Sequence, residues 1–261
     1  MLETLSKPFA HLFYHYTKTL EKKLGYLLIL PEDTNWIAGT MLFDMSLVWK
    51  RNNIDAIGLN YFTIGAIQDG LSTRYIETSP YYQAWFGGYI VKFSEDRKWT
   101  AEDHFNLGLA DQKQWLSSYG DPHPFVQLDQ AKLIKKITLD KWSTDLYEVS
   151  GWSNSDVGNK PSKLFVPIIF SIFSNMLMIS NPNLHLKHKN FLPKPPEFLT
   201  PYQKIYLKGY VAIVELENHT KAVLYINGAS FKDKTGKDYD NFEKLKTSFL
   251  NLLTSIKIEK V

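Results

Sequence analysis

The sequence predicts an α+β protein, an antiparallel β-sheet covered by helices that carries an aromatic-rich insert and a proline-rich strap. Three observations predict it. Runs of alternating apolar and polar residues come in pairs with turn residues between them, which is the pattern of β-hairpins. Two segments near the chain ends, Phe9 to Leu24 and Phe242 to Ile256, repeat their apolar residues at the three- and four-residue steps of an amphipathic helix. At 261 residues, 44% hydrophobic and 15% aromatic, the chain has ample material for one large core. We read a single domain, 1–261, with its core in 25–65, 89–152 and 202–261 and insertions at 66–88 and 153–201.

In chain order, Phe9, Leu12, Phe13, Tyr16, Leu20 and Leu24 form the stripe of the first helix, with Ser6 as its cap, Pro8 in its first turn and Gly25 ending it. His11 and His15 are four apart on the opposite face; with no third ligand nearby they read as solvated. Tyr26 to Leu30 is a short strand stopped by Pro31. Met41, Phe43, Met45, Leu47 and Trp49 take alternate positions, and Ile57, Leu59 and Tyr61 resume the alternation after Lys50-Arg51-Asn52-Asn53, so this pair predicts a hairpin, with Asp44 on its exposed face.

Ala66 to Tyr89 fits neither period and concentrates Tyr75, Tyr81, Tyr82, Trp85, Phe86 and Tyr89 beside Pro80 and Gly87-Gly88. Such a stretch either packs over the sheet or forms a wall facing a ligand. Thr100-Ala101-Glu102-Asp103 opens a helix with a capping-box pattern, extending toward Gly120. Lys132 to Leu139 and Trp142 to Trp152, joined by Asp140 and Lys141, predict a second hairpin. The apolar run Leu164 to Ile179 reads as buried core or, where part of it is exposed, as a contact site for an apolar ligand, a partner helix or a membrane surface. Its 16 residues fall short of a bilayer span. Residues 181–201 hold Pro182, Pro193, Pro195, Pro196 and Pro201 and predict an extended strap; His185 and His188 there sit among lysines, which oppose a cation. Lys204 to Leu216, the turn Glu217-Asn218-His219-Thr220 and Lys221 to Phe231 form a third hairpin, closed by a helix with Phe242, Leu245, Phe249, Leu252, Leu253 and Ile256 inward and Asp240 with Glu243 at its start.

Composition bounds the function. The net charge is only +3, and Arg51, Arg74 and Arg97 are the only arginines among 30 basic residues. Guanidinium forks read phosphates and guanine edges, so specific nucleic-acid recognition is not expected. The chain has no cysteine, which excludes thiolate chemistry and disulfides. Charged residues interrupt the first 24 positions, so no export signal is read and a cytoplasmic location is expected. The sequence carries no nucleophile elbow, metalloprotease, phosphate-loop, dinucleotide-binding or calcium-loop motif. We therefore expect no cofactor and no metal, and leave open whether the protein is an enzyme.

The order of elements resembles that of the PsbP and Mog1 proteins, an α/β/α sandwich group. It rests on the early strand Gly25-Tyr26-Leu27-Leu28-Ile29-Leu30-Pro31, the hairpin Thr40 to Ile64, the helix from Thr100 and the closing strands and helix ending Leu253-Thr254-Ser255-Ile256-Lys257. The resemblance covers layout over about half the chain and omits the first helix, the aromatic insert and 164–201. The group has no shared catalytic set, and it includes binders of other proteins, so the resemblance implies a protein-binding role.

The leading expectation is thus a non-enzymatic protein-binding or adaptor protein, using Tyr81, Tyr82, Trp85, Phe86, Tyr89, Ile168, Phe170 and Phe173 as contacts for an unidentified protein partner. The alternative is a binder of a small apolar ligand, or an enzyme, whose pocket lies between the sheet and the aromatic insert, with Asp69, Arg74, Glu77 and His123 as its polar groups. Contact with a membrane surface through 164–179 is the least favoured reading.

Overall fold

In the computed structural model, which describes residues 2–31, 40–63, 67–68, 71–72, 85–108, 127–154, 204–232, 236 and 238–261, the alternating runs pair into one antiparallel sheet. The strands are β1 (Tyr26–Ile29), β2 (Thr40–Asp44), β3 (Ala56–Thr63), the two-residue β4 (Ile67–Gln68) and β5 (Leu71–Ser72), β6 (Trp85–Phe93), β7 (Gln127–Leu139), β8 (Trp142–Asn154), β9 (Lys204–Glu215), β10 (Thr220–Lys232), β11 (Asp238–Asp240) and β12 (Lys257–Lys260). The main sheet has eight strands: its path runs β2-β3-β6-β10-β9-β8-β7, and β11 pairs off β10.

The expected hairpins β7–β8 and β9–β10 are present. Asn218 and His219 both adopt left-handed φ, at 57° and 58°. That geometry matches the twist of the flanking strands, so the tight turn holds β10 against β9. β10 lies in the middle of the path, and every residue from Thr220 to Gly228 is buried, as a strand covered on both faces must be.

One face is mainly apolar, with Glu21 and the Tyr61 hydroxyl as buried polar groups on it. Leu59, Ile90, Leu224, Ile226, Ala212 and Leu146 pack beneath Leu20 and Leu24 of α1 (Leu2–Leu24), Tyr26 and Leu28 of β1, and Phe242, Phe249 and Leu253 of α4 (Asn241–Thr254). The predicted stripe of α4 is buried in full, and Asp240 accepts from the Glu243 N–H at its start. The opposite face carries Tyr89, Val91, Phe93, Val211, Val223 and Tyr225 against Met45 and Trp49 of α2 (Ser46–Arg51) and against Trp99, Ala101 and Phe105.

Three expectations change. Ser46 to Trp49 is helix, not strand: Met45 and Trp49 are four apart, a spacing that suits both periods, and Asp44 accepts from the Ser46 N–H and hydroxyl, which starts the helix. Asp44 is accordingly half-buried and also accepts from Tyr16 Oη at 2.5 Å. The first helix begins at Leu2, with Ser6 and Pro8 inside it. Its buried side is rotated from the predicted stripe, since Leu12 and Tyr16 are 67% and 49% exposed while Thr17, Leu20, Glu21 and Leu24 are inside. The cause is polar: Glu21 accepts from Tyr61 Oη at 2.9 Å and pairs with Lys18 at 2.8 Å, which turns that side of the helix onto the sheet. Finally, Lys257 to Lys260 is the strand β12, paired with β1 from Tyr26↔Lys260 to Ile29↔Lys257. With Ile258 as its sole apolar residue, it has too little pattern to be read in the sequence.

Candidate functional site around Tyr89 and His104

Both faces carry buried polar groups, the first the Glu21–Tyr61 pair and the orphaned Trp142 Nε1, the second a larger set around Tyr89. Strand alternation sends Tyr89 to the second face, with Asn60 directly beside it on β3 and Val223 on β10. Two residues along, Tyr225 pairs with Gly87, and a Cβ on Gly87 would stand 2.7 Å from the Tyr225 hydroxyl, so glycine is what admits that ring. Gly209 does the same for Asn227, whose Oδ1 lies 2.2 Å from where a Cβ would be.

The cover over this face comes from the segment after β6. Thr100 accepts from Asp103 N while the Asp103 carboxylate accepts from Thr100 N, the expected capping box, and this starts α3 (Ala101–Asp103). The backbone then widens into a π-helical turn over His104–Gly108. Such turns are rare and frequent at functional sites, and here both His104 and Phe105 are buried.

His104 is fully buried. Its ring stacks on Tyr89, with centroids 5.7 Å apart and planes 19° apart, and leans on Tyr225 at 4.8 Å. Its Nδ1 lies 3.3 Å from Tyr89 Oη, and Trp99 Nε1 donates to the same hydroxyl at 2.7 Å. Burial pushes His104 down to about 3, so the imidazole is neutral at physiological pH, and burial holds the Tyr89 phenol well above its usual range. Trp49 also lies against Tyr89, at a centroid distance of 5.9 Å.

Around Tyr89, three buried polar atoms have no hydrogen-bond partner among the described residues: His104 Nε2, Asn60 Oδ1 and Trp49 Nε1. The buried cation on this face, by contrast, is satisfied, because Lys221 pairs with Glu215. No group of three or more acidic or histidine side chains suited to a metal occurs among the described residues. No described helix is long and apolar enough to cross a membrane.

Of the contact residues expected from the sequence, Phe86 and Tyr89 are core residues on opposite faces of β6, and Trp85 is the first residue of that strand. Alternation within a central strand puts both rings inside the protein. Tyr81, Tyr82, Ile168, Phe170, Phe173, Asp69, Arg74, Glu77 and His123 lie outside the described residues, as do the apolar run and the proline strap. His104, Trp99, Trp49 and Asn60 were not among the expected site residues. His104 follows a recognisable capping box, but nothing in its neighbours shows that a π turn will bring it onto Tyr89.

The class the fold defines is an antiparallel sheet protein with one mainly apolar face and one face bearing a buried aromatic and polar cluster. Comparison with family models, with curated proteins and with solved structures finds no match to the chain.

Proposed function

We propose that the protein binds a small molecule at the cluster centred on Tyr89. The observation that carries this reading is the set of three side chains bordering Tyr89 whose buried polar atoms no described residue satisfies. Each such atom left alone costs about 1–3 kcal/mol, a large share of a stability of roughly 5–15 kcal/mol. Groups kept at that cost are explained by something that pairs with them. Binding, not catalysis, is the reading, because neutral His104 has neither a nucleophile nor a carboxylate partner among the described residues. Residues 85–88, expected as the end of the aromatic insert, are the start of β6, the strand that carries Tyr89.

Ordered water is the competing occupant, and thermal unfolding in the presence of a panel of uncharged and charged aromatic and carbonyl compounds separates the two. A bound compound raises the unfolding midpoint, and the rise disappears in His104→Phe. If no compound raises the midpoint of the native protein, the ligand reading is lost and the cluster is a hydrated core.

A second reading, a protein-binding or adaptor role, is supported by β7. Asp129 to Lys136 are exposed on both faces of this edge strand, with Leu133 at 52% and Ile134 at 43%. An extended segment of a partner is what such an edge takes, and the layout resemblance to the PsbP and Mog1 group leans the same way.

A further inference from the structure

Resting on the ligand-binding reading above, we infer that the molecule held at the Tyr89 cluster is uncharged and turns a carbonyl-type oxygen toward Nε2 of His104. An indole N–H can only donate, so in the 2.7 Å contact the Tyr89 oxygen is the acceptor and Trp99 the donor. The Tyr89 hydroxyl hydrogen then needs an acceptor of its own. Among the described residues His104 Nδ1, at 3.3 Å, is the group in place to provide it. A bare Nδ1 in a neutral imidazole puts the hydrogen on Nε2. The buried, unpartnered Nε2 is therefore a donor, and what it faces must accept.

Of the other two orphaned atoms, Trp49 Nε1 is again a donor and calls for an acceptor, whereas Asn60 Oδ1 is an acceptor and calls for a donor, so the ligand carries both, as a primary amide does. Charge sets the remaining requirement. An anion in this place would need a buried cation, since an unpaired buried charge is far more costly than an unpaired amide. Among the described residues the cations nearby are committed elsewhere: Lys221 to Glu215, while Arg97 is exposed and lies over the rings of Phe93 and Trp99 at 5.9 Å and 5.7 Å. A ligand cation fares no better, because Asp103 is engaged in the capping box. The aromatic surroundings of Tyr89, Tyr225, Trp49 and His104 suit a flat molecule, so the class is an uncharged planar compound bearing a primary amide.

Benzamide and benzoate share a ring and a carbonyl carbon and differ in charge, and they are the probes. In the full chain labelled with ¹⁵N-histidine, the free protein is expected to show His104 protonated at Nε2 and bare at Nδ1. Benzamide should then shift the Nε2 resonance saturably, with benzoate at least ten-fold weaker, and His104→Phe should remove the signal without altering the fold. An Nδ1-protonated tautomer, or benzoate binding as well as benzamide, overturns the assignment of ligand class while leaving a ligand site in place. If neither probe moves His104, this inference is overturned, and whether the broader panel raises the unfolding midpoint then decides the fate of the ligand-binding reading separately.

Discussion

His104 is the residue whose chemistry is furthest from its behaviour in water. In the unfolded chain its imidazole takes up a proton near pH 6.5, but in the fold burial delays this to about pH 3. Tyr89, Tyr225 and Phe105 surround the ring. The titratable groups placed near it are the two phenols, neutral throughout this range, and Asp103, whose carboxylate is held by Thr100. Between those two pH values the unfolded state binds more protons than the native one. Stability from this group is thus fully present above pH 6.5 and lost as pH falls, by at most about 1.4 kcal/mol per pH unit. His104→Phe removes the titrating group, so urea unfolding followed from about pH 6 to about pH 4 should show a shallower decline in stability for the variant than for the native protein. Equal slopes would show that His104 is not buried neutral in solution. The comparison concerns slopes, because the variant also loses the contact to Tyr89 and with it some absolute stability.

At the scale of an element, α2 is the piece the sequence misplaced and the packing explains. Its Trp49 is fully buried and lies flat over Gly58 of β3, where an added Cβ would stand 2.0 Å from the ring and 2.7 Å from the Ile90 carbonyl oxygen. Gly58→Ala should therefore destabilise the fold by on the order of 3 kcal/mol, since neither the rigid ring nor the sheet backbone can give way cheaply. Trp49→Leu in the same chain should recover part of that loss, so that the double variant is less destabilised than the sum of the two single changes when denaturant midpoints are compared. Strict additivity would mean that ring and glycine do not meet. The same element shows what was legible. The β7–β8 and β9–β10 hairpins and α4 could be read because long periodic runs were bounded by turn or cap residues, Asp140-Lys141, Asn218-His219 and Asp240. The switch from strand to helix at Met45 could not, since Met41, Phe43, Met45 and Trp49 satisfy both periods until Asp44 is seen to bind Ser46. The site was legible only through Tyr89. Its partners, Asn60, Trp49, Trp99 and His104, come from separate elements, and their meeting is a tertiary fact that no local pattern records.

At the scale of the whole molecule, the path of the main sheet ends, among the described residues, at β2 and β7, and the side chains of β7 are exposed over eight successive residues. Long edges with apolar residues tend to recruit another strand, and proteins guard them with lysines and bulges. β7 has both. Its pairing with β8 is interrupted by register shifts between Leu128 and Gln130 and between Leu133 and Lys135, while Lys132, Lys135 and Lys136 flank the exposed Leu133 and Ile134. Were two copies to join through this edge in antiparallel fashion, their lysines would face one another, which opposes self-pairing. A partner strand carrying acidic residues would meet no such barrier. Replacing Lys132, Lys135 and Lys136 together with threonine keeps strand propensity and removes the barrier. The variant should then self-associate in sedimentation experiments at concentrations where the native protein does not, and Ile134→Lys in the same background should reverse it. Unchanged sedimentation of the triple variant would show that β7 does not accept another strand, and the protein-binding reading would lose the surface that supports it.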